Sequence, residues 1–202
     1  VDVRDIQWMS SLLPSEGIVR AQVGVGSADA GGFRYAVRDM DLRSAASRVT
    51  GGFTITAGRR IEVRALSLAM VPLDFALVRN VFGDTILKPA WRGAITGRLA
   101  GRGGYLDSLL IDTVDAVFDD ARVPGARSHV RANGALDVAG SETRLIGMAV
   151  RVDSLDVRTI GAVIHAADSL HGVLTGALAL DGPTSNMRFT GMRLHHVDGD
   201  RQ

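Results

Sequence analysis

Five histidines and 22 acidic residues are the groups with which this chain could do acid–base or metal chemistry. Their spacing assembles neither. His195-His196 is the one His pair; neighbours on a strand point to opposite faces, so the two cannot grip one metal without a turn. His129, His165 and His171 have no Asp, Glu or His partner at ligand spacing and read as structural or solvated. Asp112, Asp115, Asp119 and Asp120 form an acidic cluster. A calcium loop would need a central Gly and a closing Glu, which are missing, so the cluster reads as a solvated strand face and turn. Gly24-Val25-Gly26 and Gly101-Arg102-Gly103-Gly104 invite a phosphate cradle, but neither leads into a helix or ends in Lys-Ser/Thr. The first reads as strand glycines and the second as a hairpin turn. Ser44, Ser47 and Thr50 lie near no His–Asp arrangement, and no Gly-x-Ser-x-Gly occurs. With no cysteine, thiol catalysis, disulfides and Cys-based zinc sites are excluded. The expectation is a protein that is not an enzyme and takes no cofactor or metal.

Charge excludes a further class. The 23 basic and 22 acidic residues leave a formal net charge of +1, whereas a nucleic-acid binder shows a basic excess or stripe. Lys88 is the only lysine, and the arginines are scattered along the chain, a matter of composition rather than of an anion-binding patch. No apolar run reaches the length of a membrane span. The chain starts at Val1 in strand-like sequence, and it is expected to be a piece of a longer protein.

The elements that would position any site are mostly strands. Val19 to Val25, Phe33 to Arg38 and Phe53 to Ala57 alternate as half-buried strands do. Ile61 to Arg64 alternates on one parity and Leu66 to Met70 on the other, which predicts a bulge at Ala65-Leu66. Leu136 to Val138 and Leu145 to Val152 continue the pattern. Asp29 to Gly32, Ala57 to Arg59, Val123 to Gly125, Ala139 to Ser141 and Asp181 to Pro183 punctuate these runs as turns. Turn signals at spacings of about ten residues predict antiparallel hairpins. Two segments break the rhythm. Pro72 to Phe82 puts Leu73, Leu77, Val78 and Val81 on one helical face, with Pro72 in the first turn and Gly83 just past the end. Ser154 is the expected N-cap of a second helix, with the stripe Val157, Ile160, Val163 and Ile164.

These elements recur. Gly93-Ala-Ile-Thr-Gly-Arg-Leu99 returns as Gly172-Val-Leu-Thr-Gly-Ala-Leu178, an offset of 172 − 93 = 79. Gly52…Ala57-Gly58…Leu73-Asp74 returns as Gly134…Ala139-Gly140…Leu155-Asp156, an offset of 134 − 52 = 82. A unit of about 80 residues reused at near-fixed period signals an array. The expected division is a partial unit over 1–89, a complete unit over 90–169 and the start of another over 170–202. The expected fold is mainly β: an elongated, curled antiparallel sheet, trough-like and built from repeats, with short amphipathic helices between them. Aromatic residues are only 5%, fewer than a closed sandwich or barrel of this length usually uses to fill its centre. Met70, Met148, Met187 and Met192 lie on or near apolar strand faces, suited either to an adaptable lipid surface or to core filling.

The stretch Leu155-Asp156-Val157…Leu170-His171-Gly172-Val-Leu-Thr-Gly-Ala-Leu-Ala-Leu-Asp-Gly-Pro183, followed by an alternating strand over Phe189 to Leu194, resembles the repeat of the AsmA-like superfamily, the TamB family in particular. The resemblance covers most of residues 50 to 202. In the earlier copy Trp91 stands where Leu is usual, and Gly101 to Gly104 replaces the Gly-Pro turn. The resemblance implies a periplasmic segment of a protein anchored in the inner membrane of a double-membraned bacterium. It implies a curled sheet whose hydrophobic groove carries phospholipid acyl chains towards the outer membrane. An outer-membrane barrel assembly protein is the implied partner. The groove candidates are Val23, Phe53, Ile55, Leu66 and Leu68 in the first part of the chain; Ile95, Leu99, Leu136 and Val138 in the middle; and Met148, Val150, Leu174, Leu178 and Phe189 thereafter. The alternatives are a structural or adhesive secreted β-array without lipid transport, which would usually show shorter repeats, and an enzyme or sugar-binding sandwich, which would need clustered polar or aromatic residues.

Overall fold

The computed structural model describes residues 2–3, 17–28, 32–44, 46–82, 92–140, 142–164 and 171–197. They form one antiparallel sheet of eleven strands whose spatial order is the chain order. After β1 (Asp2–Val3) come β2 (Gly17–Ser27), β3 (Phe33–Ser44), β4 (Ser47–Ala57) and β5 (Ile61–Asp74), then helix α1 (Phe75–Phe82). β6 (Gly93–Tyr105), β7 (Leu109–Asp120), β8 (Arg127–Asp137) and β9 (Arg144–Asp156) lead to α2 (Val157–Ile164), and β10 (Val173–Pro183) and β11 (Arg188–Val197) follow. The first and last strands do not pair, so the sheet is open. It is the meander that short turns between alternating strands dictate.

The repeat has a structural counterpart, four strands and a helix, with the same polar joint at each helix start. Ser47 Oγ accepts the Asp74 N–H at 2.9 Å, and Asp74 Oδ1 accepts the Ala76 N–H at 2.6 Å. Ser128 Oγ accepts the Asp156 N–H at 3.2 Å, and Asp156 Oδ1 accepts the Arg158 N–H at 2.9 Å. Asp74 and Asp156 are therefore the residues that cap α1 and α2. Ser154 is not the cap: it lies three residues before α2 begins, and its Oγ accepts the His129 N–H at 3.2 Å. Pro72 likewise lies in β5, three residues before α1 begins. Gly83 and the unit boundaries at 89/90 and 169/170 lie outside the described residues.

The helices pack where the sheet is apolar. Phe75 of α1 is buried and stacks on Phe118 of β7, with ring centroids 5.1 Å apart. Thr159 of α2 is buried too. Near it Asp120 is wholly covered and paired with Arg122 at 2.5 Å. Burial pushes the Asp120 carboxyl up, but the Arg122 side-chain and backbone hydrogen bonds outweigh it and hold the group below the ordinary carboxylate range.

Bulges recur on alternate strands. Asp39 of β3, Ala65 of β5, Gly147 of β9 and Gly191 of β11 all adopt a left-handed backbone, with φ of 51°, 50°, 52° and 59°. Each lies at or beside a register shift of its ladder. The parity switch at Ala65-Leu66 is thus a bulge, and bulges bend and twist a strand. The glycines of the repeated motif do the complementary work. A Cβ on Gly97 would stand 2.2 Å from the Asp115 carbonyl oxygen, and one on Gly176 2.0 Å from that of Arg193. Only a residue without a side chain lets neighbouring backbones approach this closely. Gly101 to Gly104, expected as a turn, is the last stretch of β6; the turn is at 106–108. Gly182-Pro183 similarly ends β10, and the chain turns at 184–186.

Candidate functional site: an apolar face running across the strands

Register turns the alternation of single strands into rows that cross the sheet. One row runs Leu42, Val49, Met70, Gly97, Ala116, Val130, Val152, Gly176, Leu194 from β3 to β11. The next runs Met40, Gly51, Leu68, Leu99, Val114, Ala132, Val150, Leu178 from β3 to β10. No polar side chain interrupts either.

The groove candidates fall on this face, Val138 excepted. Leu68, Leu99, Val150 and Leu178 belong to the second row. Val23 pairs with Val37 and Val37 with Phe53; Ile55 sits between Tyr35 and Val63. Leu66 faces Gly101, and Ile95 lies between Leu73 and Phe118. Leu136 pairs with Leu109 and Leu145. Met148 opposes Leu180, and Leu180 opposes Phe189. Leu174 lies between Leu155 and His196. Val138 follows the end of β8 and stitches two turns together, its N–H donating to Leu106 O at 2.6 Å.

The buried apolar residues of the sheet also share this face. Ile111 is 3% exposed, Val152 4% and Met148 6%, and among the described residues the only other elements against the sheet are the two eight-residue helices. A sheet curled about its apolar face shields such residues without a second layer, and the bulges and glycines allow that bend. Towards the ends the face opens: Phe33 and Phe189 are more than half exposed.

The opposite face is polar, and many of its carboxylates are paired with arginines. Its central row runs Asp41, Thr50, Ala69, Arg98, Asp115, Arg131, Arg151, Ala177, Arg193. Asp41 accepts from Arg43 at 2.7 Å and Arg48 at 2.9 Å, which holds its carboxyl far below the usual range. Asp153 accepts from Arg131 at 2.7 and 2.8 Å and is held down chiefly by that contact. The acidic cluster is dispersed among partners: Asp112 with Arg102, Asp115 with His129, Asp119 with Arg127 and Asp120 with Arg122. Three of these four match the expected solvated strand face; buried Asp120 does not. His129, without a partner at sequence spacing, has two across the strands: Asp115 at 2.6 Å and Asp153 at 3.5 Å. Sequence spacing could not reveal them, because antiparallel register brings together residues far apart in the chain.

Among the described residues, no three His, Cys, Asp or Glu side chains are grouped to hold a metal, and no helix is long and apolar enough to cross a membrane. The arrangement offers an extended, non-directional apolar surface backed by a charged one. No family model, curated protein or solved structure matches the chain.

Proposed function

We propose that this chain is a periplasmic segment of an AsmA/TamB-like bridge, and that its apolar face carries phospholipid acyl chains between the inner and outer membranes. The parent protein is anchored in the inner membrane and works with an outer-membrane barrel assembly protein. The observation that supports this reading is the pair of uninterrupted apolar rows running across the strands, on the side where the sheet's buried residues lie. Such a surface has no shaped pocket, and an acyl chain needs none: each buried methylene contributes about 0.8 kcal/mol wherever it lies. From β2 to β11 the strand spacing gives a trough roughly 43 Å long. That exceeds the ~15 Å of one leaflet's tails, half of a ~30 Å hydrocarbon core, so the trough accommodates tails in succession.

Native mass spectrometry of the chain purified from bacteria, with lipid extraction of the same sample, tests the proposal. Co-purified phospholipid that is lost from a folded Leu99→Asp/Leu178→Asp variant is the expected result. A folded, lipid-free wild-type chain that takes up no added phospholipid would overturn the proposal and favour a structural β-array.

A further inference from the structure

We propose that the polar face carries a second, separate site, for an oxyanion of the phosphate class, between β9 and β11. The site does not rest on the lipid reading, since it uses the other side of the sheet. Register sets Arg151 and Arg193 on either side of Ala177, and sets Thr175 beside His195 at the next position of the same face. β10 contributes only the small side chains of Thr175 and Ala177 here, so a cavity of about 440 Å³ opens between the longer side chains of its neighbours. Arg151, Asp153, Thr175, Arg193 and His195 line it.

The charges there are not balanced. Asp153 is the one carboxylate in the lining, and it is engaged by two hydrogen bonds from Arg131 and by Arg151 Nε at 3.2 Å. The terminal amino groups of Arg151, and the whole Arg193 guanidinium, have no carboxylate partner among the described residues. Two guanidiniums facing each other across a small-residue floor suit a tetrahedral oxyanion, which each can grip through two N–H groups. The Thr175 hydroxyl and the His195 ring add donors. The chemistry fits a free phosphate or a lipid phosphodiester headgroup alike.

The test is a titration of the isotope-labelled whole chain with inorganic phosphate at fixed ionic strength, followed by amide NMR, with chloride as the reference anion. Saturable shifts centred on Thr175, Ala177 and Arg193 are expected. Arg193→Gln should weaken binding about tenfold, and Arg38→Gln, which removes the same charge from β3, should leave it unchanged. Equal weakening by both variants, or shifts spread over the whole polar face, would overturn the site in favour of diffuse charge. In a parallel arm, flotation with phosphatidylglycerol vesicles but not phosphatidylcholine vesicles, lost in Arg193→Gln, assigns the site to a headgroup. Phosphate binding without flotation assigns it to a soluble phosphate.

Discussion

Neighbouring residues of one strand can separate the trough from the rest of the molecule. Leu178 and Ala177 are adjacent on β10, Leu178 in the apolar row beside Val150 and Ala177 in the polar row beside Arg151. Leu178→Asp puts a carboxylate into the trough; Ala177→Asp puts one among arginines. Leu178 is half-buried, so its loss forfeits about half of the ~1.5–3 kcal/mol that full burial of such a side chain supplies. That is about 1 kcal/mol, which leaves most single domains folded. For a lipid tail the balance differs. Seating it over the introduced carboxylate desolvates an unpaired charge, at a cost of several kcal/mol. Even ~3 kcal/mol weakens binding more than a hundredfold. The assay is equilibrium binding of a fluorescent fatty-acyl probe, with far-ultraviolet circular dichroism and urea melts on the same samples. Leu178→Asp should stay folded and lose the probe, while Ala177→Asp should bind as wild type does. A folded Leu178→Asp that binds normally refutes the placement of acyl chains on this face. Its outright unfolding would mean that Leu178 belongs to a closed core.

Three other outcomes are expected. Gly97→Ala and Gly176→Ala drive a methyl into the carbonyl oxygens of Asp115 and Arg193, at 2.2 and 2.0 Å; urea denaturation should register a loss of roughly 3 kcal/mol or more at each, far beyond an ordinary surface change. Ser128→Ala strips the Asp156 N–H of its buried acceptor and should cost about 1–3 kcal/mol, with faster amide exchange at Asp156 as the local signature. The Asp156 carboxyl is held low chiefly by its hydrogen bonds from Arg158, against desolvation. Its folded pKa lies below the unfolded value of about 3.9, so its stabilisation is fully present above that pH and fades as acid carries the protein down through the folded pKa. Asp156→Asn should flatten the acid limb of the stability–pH curve, and an unchanged limb would contradict the assignment.

The elements were legible because each is written in a local pattern. Alternation announced the strands, and the change of parity at Ala65 announced a bulge that the backbone has at φ 50°. Alternation put the groove candidates of each strand on one parity, but strand register decides which of these parities share a face, and Val138 lies beyond its strand. What sequence spacing misjudged were features decided by a neighbouring strand. Gly101 to Gly104 looked like a turn because glycine usually marks one. In β6 these glycines instead admit the Leu110 and Val63 carbonyls, which a Cβ at Gly101 or Gly103 would strike. Ser154 looked like a helix cap because its hydroxyl suits one, yet Asp156, two residues on, holds that place, and its own N–H is taken by Ser128 from another strand. The polar cavity went unread for the same reason: scattered arginines become a cluster only when β9, β10 and β11 lie side by side.

The strict agreement between chain order and spatial order has a mechanical meaning. Within the sheet every strand pairs only with the strands next to it in the chain, as in a linear array of repeats, and the sheet's two ends, β1 and β11, form its opposite rims. Tension applied between those ends would load the hydrogen bonds of the outermost strand first and peel it away, one strand at a time, rather than shear the whole ladder. The molecule would then yield by unzipping from its rims, releasing chain while the central strands keep their register.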